Sequence, residues 1–235
     1  MVEASSLAGG TTALSDGRLW LPVNHLMAKL GAKDSVEDAS SYFDAVLGAP
    51  TTASTPERRA AFLETAPKVG RWLASSNLSL FAAKGVADHH PEAPGAKQQG
   101  RVVQSQSVDL RMLGDWEDSL RGPVESPDLV GRIAGRLLPR HGSRGTGEAL
   151  GAELLHRAAA NGVTIWLRSP VVELLSSNGV VEGVVVRRAI EDSDATSDVK
   201  VLARRGVLLA SGGFEANQAM REEYLPLPTD AAWSA

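Results

Sequence analysis

Apolar and polar positions alternate with helical spacing between residues 34 and 75, and beyond residue 162 they switch to short strand-like runs. Ser35-Val36-Glu37-Asp38 reads as a capping box, in which the hydroxyl and the acid three positions on each take a free N–H of the first turn. The helix it opens carries Tyr42, Phe43, Val46 and Leu47 and stops at Gly48. Thr55-Pro56-Glu57 starts a second helix, with proline at the first position, where a missing N–H is harmless. Phe62, Leu63, Val69, Trp72 and Leu73 give it an apolar face, and Pro67 is expected to kink it. The stretch 84–128 is rich in Gly, Pro, Gln and Ser and reads as surface loops. A third helix, about 147–160, bears Leu150, Leu154, Leu155 and Ala158 and is closed by Asn161-Gly162. Four strand-like runs follow, at 163–168, 171–175, 180–186 and 199–203. A fifth, Val207 to Ala210, is wholly apolar and runs into Ser211-Gly212-Gly213, as a buried parallel strand delivering a ligand loop does. The acidic Glu191 to Asp198 reads as an unstructured hairpin tip between strands.

Composition narrows the class of protein more than its chemistry. A chain of 235 residues, 43% hydrophobic and 22% charged, is ordinary globular material with enough length for a substantial core. A net charge of −4 creates no field for nucleic acid, and the Arg187-Arg188 and Arg204-Arg205 pairs lack interleaved aromatics. They read as solvated strand ends. The absence of cysteine excludes disulfides, thiolate metal sites and sulfur nucleophiles. No apolar run approaches the roughly 18 residues of a membrane span, and no signal-peptide pattern opens the chain, so a cytoplasmic location is expected. No linker bounds 34–140, which is taken as a mostly helical insertion within one unit of residues 1–235.

The densest chemistry lies in the first seventeen residues. Glu3 ends a strand stub and could accept hydrogen bonds from ribose hydroxyls. Gly9 and Gly10 remove Cβ atoms so that backbone N–H groups can approach a pyrophosphate, while Thr11, Thr12 and Ser15 add donors without bulk before the turn at Gly17. A dinucleotide fold places a strand and G-x-G-x-x-G about 20 residues before such an acid. Here Met1 stands two positions before Glu3, so the chain is expected to lack its first βα unit, unless the dinucleotide reading itself is wrong.

Three other patterns are weaker. Gly145-Thr146-Gly147 with Gly151 has the wrong spacing for a phosphate loop, and Thr146 is better read as a helix cap. Asp88-His89-His90-Pro91-Glu92 resembles a metal cluster, but adjacent histidines diverge and no third ligand has metal-site spacing, so no metal is expected. Ala13-Leu14-Ser15-Asp16-Gly17 is a near miss of a nucleophile elbow, with no strand leading into Ser15.

Glu3 with Gly9-Gly10-Thr11-Thr12-Ala13-Leu14-Ser15-Asp16-Gly17 resembles the flavoprotein family of fumarate reductases and 3-ketosteroid dehydrogenases. Trp20-Leu21-Pro22-Val23-Asn24-His25 leans toward the 3-ketosteroid Δ1-dehydrogenase branch. Gly162 to Leu167 with Ser169 to Leu174, and Gly206 to Glu215 with its Ser211-Gly212-Gly213-Phe214 loop, are similar to later segments of that family in the same order. The resemblance implies an α/β chain: a partial FAD-binding Rossmann-type fold, parallel sheet plus antiparallel β-meander, with catalytic or cap structure starting after about 215. It implies FAD as cofactor, held by Glu3, Gly9, Gly10, Thr11, Thr12, Ser15 and Gly17, by the backbone at Val171 and Val172 reading the adenine edge, and by Ser211, Gly212 and Gly213.

The activity implied is hydride transfer between a CH–CH group of a steroid-like or other cyclic ketone and flavin, with the electron acceptor left open. In that family a stretch similar to Asp88 to Glu92 sets a tyrosine against the substrate, and His89 occupies its place here as the candidate proton or hydrogen-bond donor. Trp233-Ser234-Ala235 is similar to the lead-in to the family's later part, so the remaining catalytic residues are expected beyond Ala235. Two other readings stay open. One is a fumarate reductase-like enzyme acting on dicarboxylates. The other is a non-catalytic fragment that binds no FAD.

Overall fold

Two packed helices, a third that joins two apolar clusters and three small antiparallel sheets organise the chain in the computed structural model, which describes residues 1–122, 143, 144, 146–190 and 195–234. A five-residue helix α1 (Gly10–Leu14) is followed by strand β1 (Leu19–Trp20) and a 3₁₀ turn at Met27–Leu30. Helix α2 (Val36–Leu47) begins where the capping signal placed it: Ser35 Oγ accepts from the Asp38 N–H at 3.0 Å. Helix α3 (Pro56–Ser75) is capped by Thr55, whose Oγ1 accepts from the Arg58 N–H at 3.3 Å, and it continues through Pro67 without ending.

Strands β2 (Leu80–Ala82) and β3 (Val102–Ser105) then pair antiparallel, and β1 adds to the other edge of β3, giving the order β1-β3-β2. The expectation of surface loops over 84–128 is therefore corrected. Val102 and Val103 form the middle of a sheet, and Val103 is 0% exposed. β4 (Val108–Asp109), paired with β5 (Ser143–Arg144), leads into a 3₁₀ segment, Leu110–Ser119, broken at Gly114 where φ is 55°.

Helix α4 (Thr146–Ala160) joins two apolar clusters. Leu150 packs with Leu21, Leu26, Ala66, Leu73, Leu80 and Val103, while Ala152 and Leu155 pack with Ala8, Leu110, Leu113, Leu120 and Ile165. Each buried leucine here contributes about 1.5–3 kcal/mol. A left-handed Gly162 (φ 72°) ends the helix, with the Val163 N–H closing onto the Ala158 carbonyl at 3.0 Å.

Strands β6 (Val171–Ser177), β7 (Val180–Ala189) and β8 (Thr196–Leu202) form an antiparallel meander, as the resemblance implied. Thr196 to Asp198 belong to this ladder and not to a loose tip; residues 191–194 lie outside the described residues. The parallel sheet is not found among the described residues. The run 163–168 forms no strand and contributes a single parallel bridge, Val2 to Trp166; the other parallel bridge joins Ala8 to Leu120. The run 207–210 forms no strand either, with Leu208 91% and Leu209 63% exposed. No described strand lies beside it to take its backbone hydrogen bonds, and an apolar run becomes a strand only when one does. A short helix α5 (Gln218–Tyr224) and a 3₁₀ turn at Ala231–Trp233 end the described chain.

Candidate cofactor site

Residues 1–5 lie along residues 164–169 and are held there by backbone bonds. The Glu3 N–H donates to the Trp166 carbonyl (2.8 Å), the Ser169 N–H to the Glu3 carbonyl (2.8 Å) and the Arg168 N–H to the Ser5 carbonyl (2.8 Å). Glu3 then turns its carboxylate onto its own chain, Oε1 accepting from the Ser5 N–H at 2.8 Å. Two residues beyond Ser169, β6 begins with an irregularity. Val171 pairs with Val186 and Glu173 with Val185, so Val172 is the extra residue of a β-bulge. A bulge leaves its extra residue outside the ladder and free to meet another group. Val172 is exposed and lies three positions after Ser169, whose N–H bonds the Glu3 carbonyl.

The glycine loop follows directly. Gly9 (φ 111°) and Gly10 (φ 51°) are both left-handed, and they start α1 without a side-chain cap. Gly9 has no room for a Cβ, which would stand 2.8 Å from the Ala13 Cβ. Gly10 faces open space. The first-turn N–H groups at Gly10, Thr11 and Thr12 have no acceptor within a helix this short, and both threonines are exposed. Ser15 closes the helix, its Oγ donating to the Thr12 carbonyl (2.8 Å) and accepting from the N–H of Gly17 (3.0 Å), which is itself left-handed at φ 61°. α1 rests on the start of α4: the Gly147 N–H donates to the Ser15 carbonyl at 3.0 Å, and a Cβ on Gly147 would collide with the Thr12 carbonyl oxygen. The glycine in Gly145-Thr146-Gly147 thus serves close packing under the loop.

Sequence reasoning missed Arg121. The segment at Ser119–Arg121 runs beside the glycine loop, with the Ala8 N–H on the Ser119 carbonyl (2.7 Å) and the Arg121 N–H on the Ala8 carbonyl (2.8 Å). Arg121 Nη2 donates to Ser5 Oγ at 3.2 Å, and its Nε is buried without a partner. Nothing in Leu120-Arg121-Gly122 marks this role in the sequence. These groups fit a dinucleotide such as FAD: a carboxylate with one oxygen outside its local bond, a run of free backbone donors, a bulged strand and a cation with an unused buried N–H.

The other expected residues are not joined to this face. Among the described residues no hydrogen bond links Ser211, Gly212 or Gly213 to Glu3 or the glycine loop, and all three are exposed; Gly212 is left-handed at φ 84°. His89 is exposed as well. Its neighbour Asp88 is buried, accepting from Trp20 Nε1 (2.7 Å), from Arg101 Nη1 (2.8 Å) and from the Lys97 N–H (2.9 Å). His90 is fixed by its N–H on the Tyr42 hydroxyl at 3.3 Å. The Asp-His-His-Pro-Glu stretch is therefore a turn anchored at its first residue, with His89 left to solvent.

Comparison with known proteins agrees with this geometry. The model of the FAD binding domain family matches residues 1–234. The 3-oxosteroid 1-dehydrogenase of Mycobacterium tuberculosis is 30% identical over 100% of this chain and 46% of its own length. The 4-oxocyclohex-2-ene-1-carboxylate 5-dehydrogenase of Sinomonas cyclohexanicum is 27% identical over 96% of this chain and 42% of its own. A crystal structure of 3-ketosteroid Δ1-dehydrogenase from Sterolibacterium denitrificans in complex with 1,4-androstadiene-3,17-dione superposes with a TM-score of 0.80 at 33% identity, covering 100% of this chain and 46% of that one. The chain thus spans about half the length of the relatives it matches. With residues 1–234 matched by that model, the chain belongs to the FAD binding domain family.

Proposed function

We propose that this chain is the FAD-binding portion of an oxidoreductase that transfers hydride between a CH–CH group beside a ring ketone and flavin, in the manner of a 3-oxosteroid 1-dehydrogenase. The observation that carries the reading is the backbone pairing of Glu3 with Trp166 and Ser169, three positions before the Val172 bulge, together with the left-handed Gly9-Gly10 start of α1, and the proposed site is built on these segments. Within it, Glu3 offers an acceptor to ribose hydroxyls, the first-turn N–H groups at Gly10–Thr12 meet phosphate or ribityl oxygens, and the backbone of Val172 meets the adenine edge. Ser211-Gly212-Gly213 is proposed to complete the site from the Rossmann-type side of the fold. FAD, when bound, supplies the hydride acceptor.

Residues 1–235 are read as one FAD-binding unit, with 34–140 inserted and the catalytic or cap part beginning after about 215. The substrate class rests on chemistry shared by the relatives' names, a 3-oxosteroid and a 4-oxocyclohexene carboxylate: both carry a carbonyl on a six-membered ring. His89, held on a turn anchored by Asp88, is proposed to offer its imidazole to that substrate. No helix among the described residues is long and apolar enough to cross a membrane, and a cytoplasmic setting is included in this proposal.

The test is an assay of the whole FAD-loaded oxidoreductase of which this chain is proposed to be a portion, with a 3-ketosteroid, a 4-oxocyclohexanecarboxylate and fumarate, using an artificial electron acceptor or donor. Turnover of a ring ketone and not of fumarate is expected. His89→Ala should lower that turnover by roughly a factor of 100, and His89→Tyr should raise Δ1-dehydrogenation of the steroid. Turnover of fumarate alone would overturn the substrate class. Full turnover by His89→Ala would remove that residue from the site.

A further inference from the structure

We propose that Arg121 is the cation that answers the diphosphate of the bound dinucleotide. The inference rests on the FAD reading above and adds a residue that neither the resemblance nor the comparisons assign.

Three observations converge on it. First, Arg121 lies against the loop expected to carry the phosphates: its N–H bonds the Ala8 carbonyl at 2.8 Å, and the missing Cβ of Gly9 would stand 3.7 Å from the Arg121 Cβ. Second, its guanidinium is connected to the ribose-reading acid through one residue. Arg121 Nη2 donates to Ser5 Oγ at 3.2 Å, and the Ser5 N–H donates to Glu3 Oε1 at 2.8 Å. Ribose and diphosphate are adjacent in a dinucleotide, so an acid for one and a cation for the other belong side by side. Third, the guanidinium is unfinished. Its Nε is buried with no partner, and no carboxylate pairs with it among the described residues. A buried N–H donor without an acceptor is costly, and a ligand carrying phosphate oxygens relieves that cost when it arrives. Arginine is the side chain whose planar fork suits phosphate oxygens.

The test compares wild type and Arg121→Gln, each as the whole chain, in equilibrium titrations with FAD, ADP, riboflavin and adenosine, followed by tryptophan or flavin fluorescence. FAD and ADP carry the diphosphate; riboflavin and adenosine do not. Titrations extend to millimolar ligand, since few positive groups serve the phosphates. The expected result is a loss of about ten- to a hundredfold for FAD and ADP in Arg121→Gln, with riboflavin and adenosine unchanged and the ligand-free melting curve unchanged. Equal losses for all four ligands would overturn the assignment in favour of a purely structural arginine. Retention of wild-type FAD and ADP affinity would overturn it as well. A wild-type chain that binds none of the four overturns the FAD reading itself, and this inference with it. If Arg121→Gln does not fold, Arg121→Lys and salt decide. Affinity for FAD must then survive in the lysine variant and fall with ionic strength while that for riboflavin does not; a flat response of FAD to salt sinks the proposal.

Discussion

Arg101 is sealed from water and Arg121 is half-buried with a buried Nε, and their surroundings are opposites. Arg101, 1% exposed, gives Nε and Nη2 to Asp34 at 2.8 and 2.6 Å and Nη1 to Asp88 at 2.8 Å, and it lies 5.6 Å from the ring centres of both Trp20 and Tyr42. Burial alone would lower its pKa; the hydrogen bonds and charges of Asp34 and Asp88 outweigh burial and hold it above the ordinary arginine value. The carboxylates have other donors too, the Val23 N–H on Asp34 and Trp20 Nε1 on Asp88. Arg121 has one hydroxyl partner and an idle Nε. A buried charge whose bonds are all closed is part of the scaffold. One left partly open beside a glycine loop is the charge proposed above to meet the dinucleotide. The difference separates a region that holds the fold from the region proposed to hold the cofactor.

The sharpest way to break the comparison is Arg101→Met. It would strand Asp34 and Asp88, both 1% exposed at the side chain, with no cation between them. Removing one member of a buried pair costs about 3–5 kcal/mol, or roughly 6–20 °C in melting temperature for a domain of this size. Thermal and urea melts read it directly. A melting temperature within a degree or two of wild type would mean that the triad is not the structural member of the contrast.

Gly147→Ala attacks the other region from beneath. The added Cβ meets the Thr12 carbonyl oxygen and stands 2.5 Å from the Ser15 carbonyl oxygen, so α1 must move off α4. Overpacking of this kind costs about 1–3 kcal/mol. Limited proteolysis within residues 5–17 should speed up more than cleavage elsewhere, because the shift is confined to the loop. Unchanged loop cleavage would show that α1 does not depend on the close approach at Gly147.

How much of this was legible in the sequence follows from the range of each interaction. Ser35 and Thr55 announced α2 and α3 because a cap and its N–H lie within one turn. The strands of the β6-β7-β8 meander were readable because their runs are rich in β-branched valine and the first two are divided by the turn at Asn178-Gly179. The glycine loop was readable because only Gly suits φ values of 111° and 51° there. β3 was not, since Val102-Val103 is too short to show a period among Gly and Gln. Neither arginine was readable: Arg101 finds Asp34 67 positions away, and Arg121 finds Ser5 116 positions away. Val207 to Ala210 misled in the opposite direction, because apolar content argues for burial and does not provide the neighbouring strand.

Arg121→Gln sharpens the contrast by having little effect where Arg101→Met has a large one. Without ligand it removes an unbonded buried Nε and a single 3.2 Å bond to a hydroxyl, so stability should stay within about 0.5 kcal/mol of wild type. A loss as large as that of Arg101→Met would place both cations in the scaffold.

The smallest effect comes from a third kind of cation, one that solvent partly reaches. Lys97 Nζ bonds Asp38 Oδ2 at 2.6 Å, the two side chains 24% and 45% exposed. The hydrogen bond from Lys97, then its charge, holds the Asp38 carboxyl below its ordinary 3.8. A carboxyl whose folded value is depressed stabilises the fold above its unfolded pKa and loses that contribution as pH falls through the folded value. Lys97→Met should therefore melt slightly below wild type at neutral pH, and the gap should close once the pH falls well below 3.8. The same gap should shrink in salt at neutral pH, since solvent reaches both partners. For Arg101, sealed at 1% exposure, salt should leave the loss on substitution nearly intact. A Lys97→Met gap that ignores both acid and salt would show that Lys97 acts through packing of its aliphatic stem against the Asp88 loop.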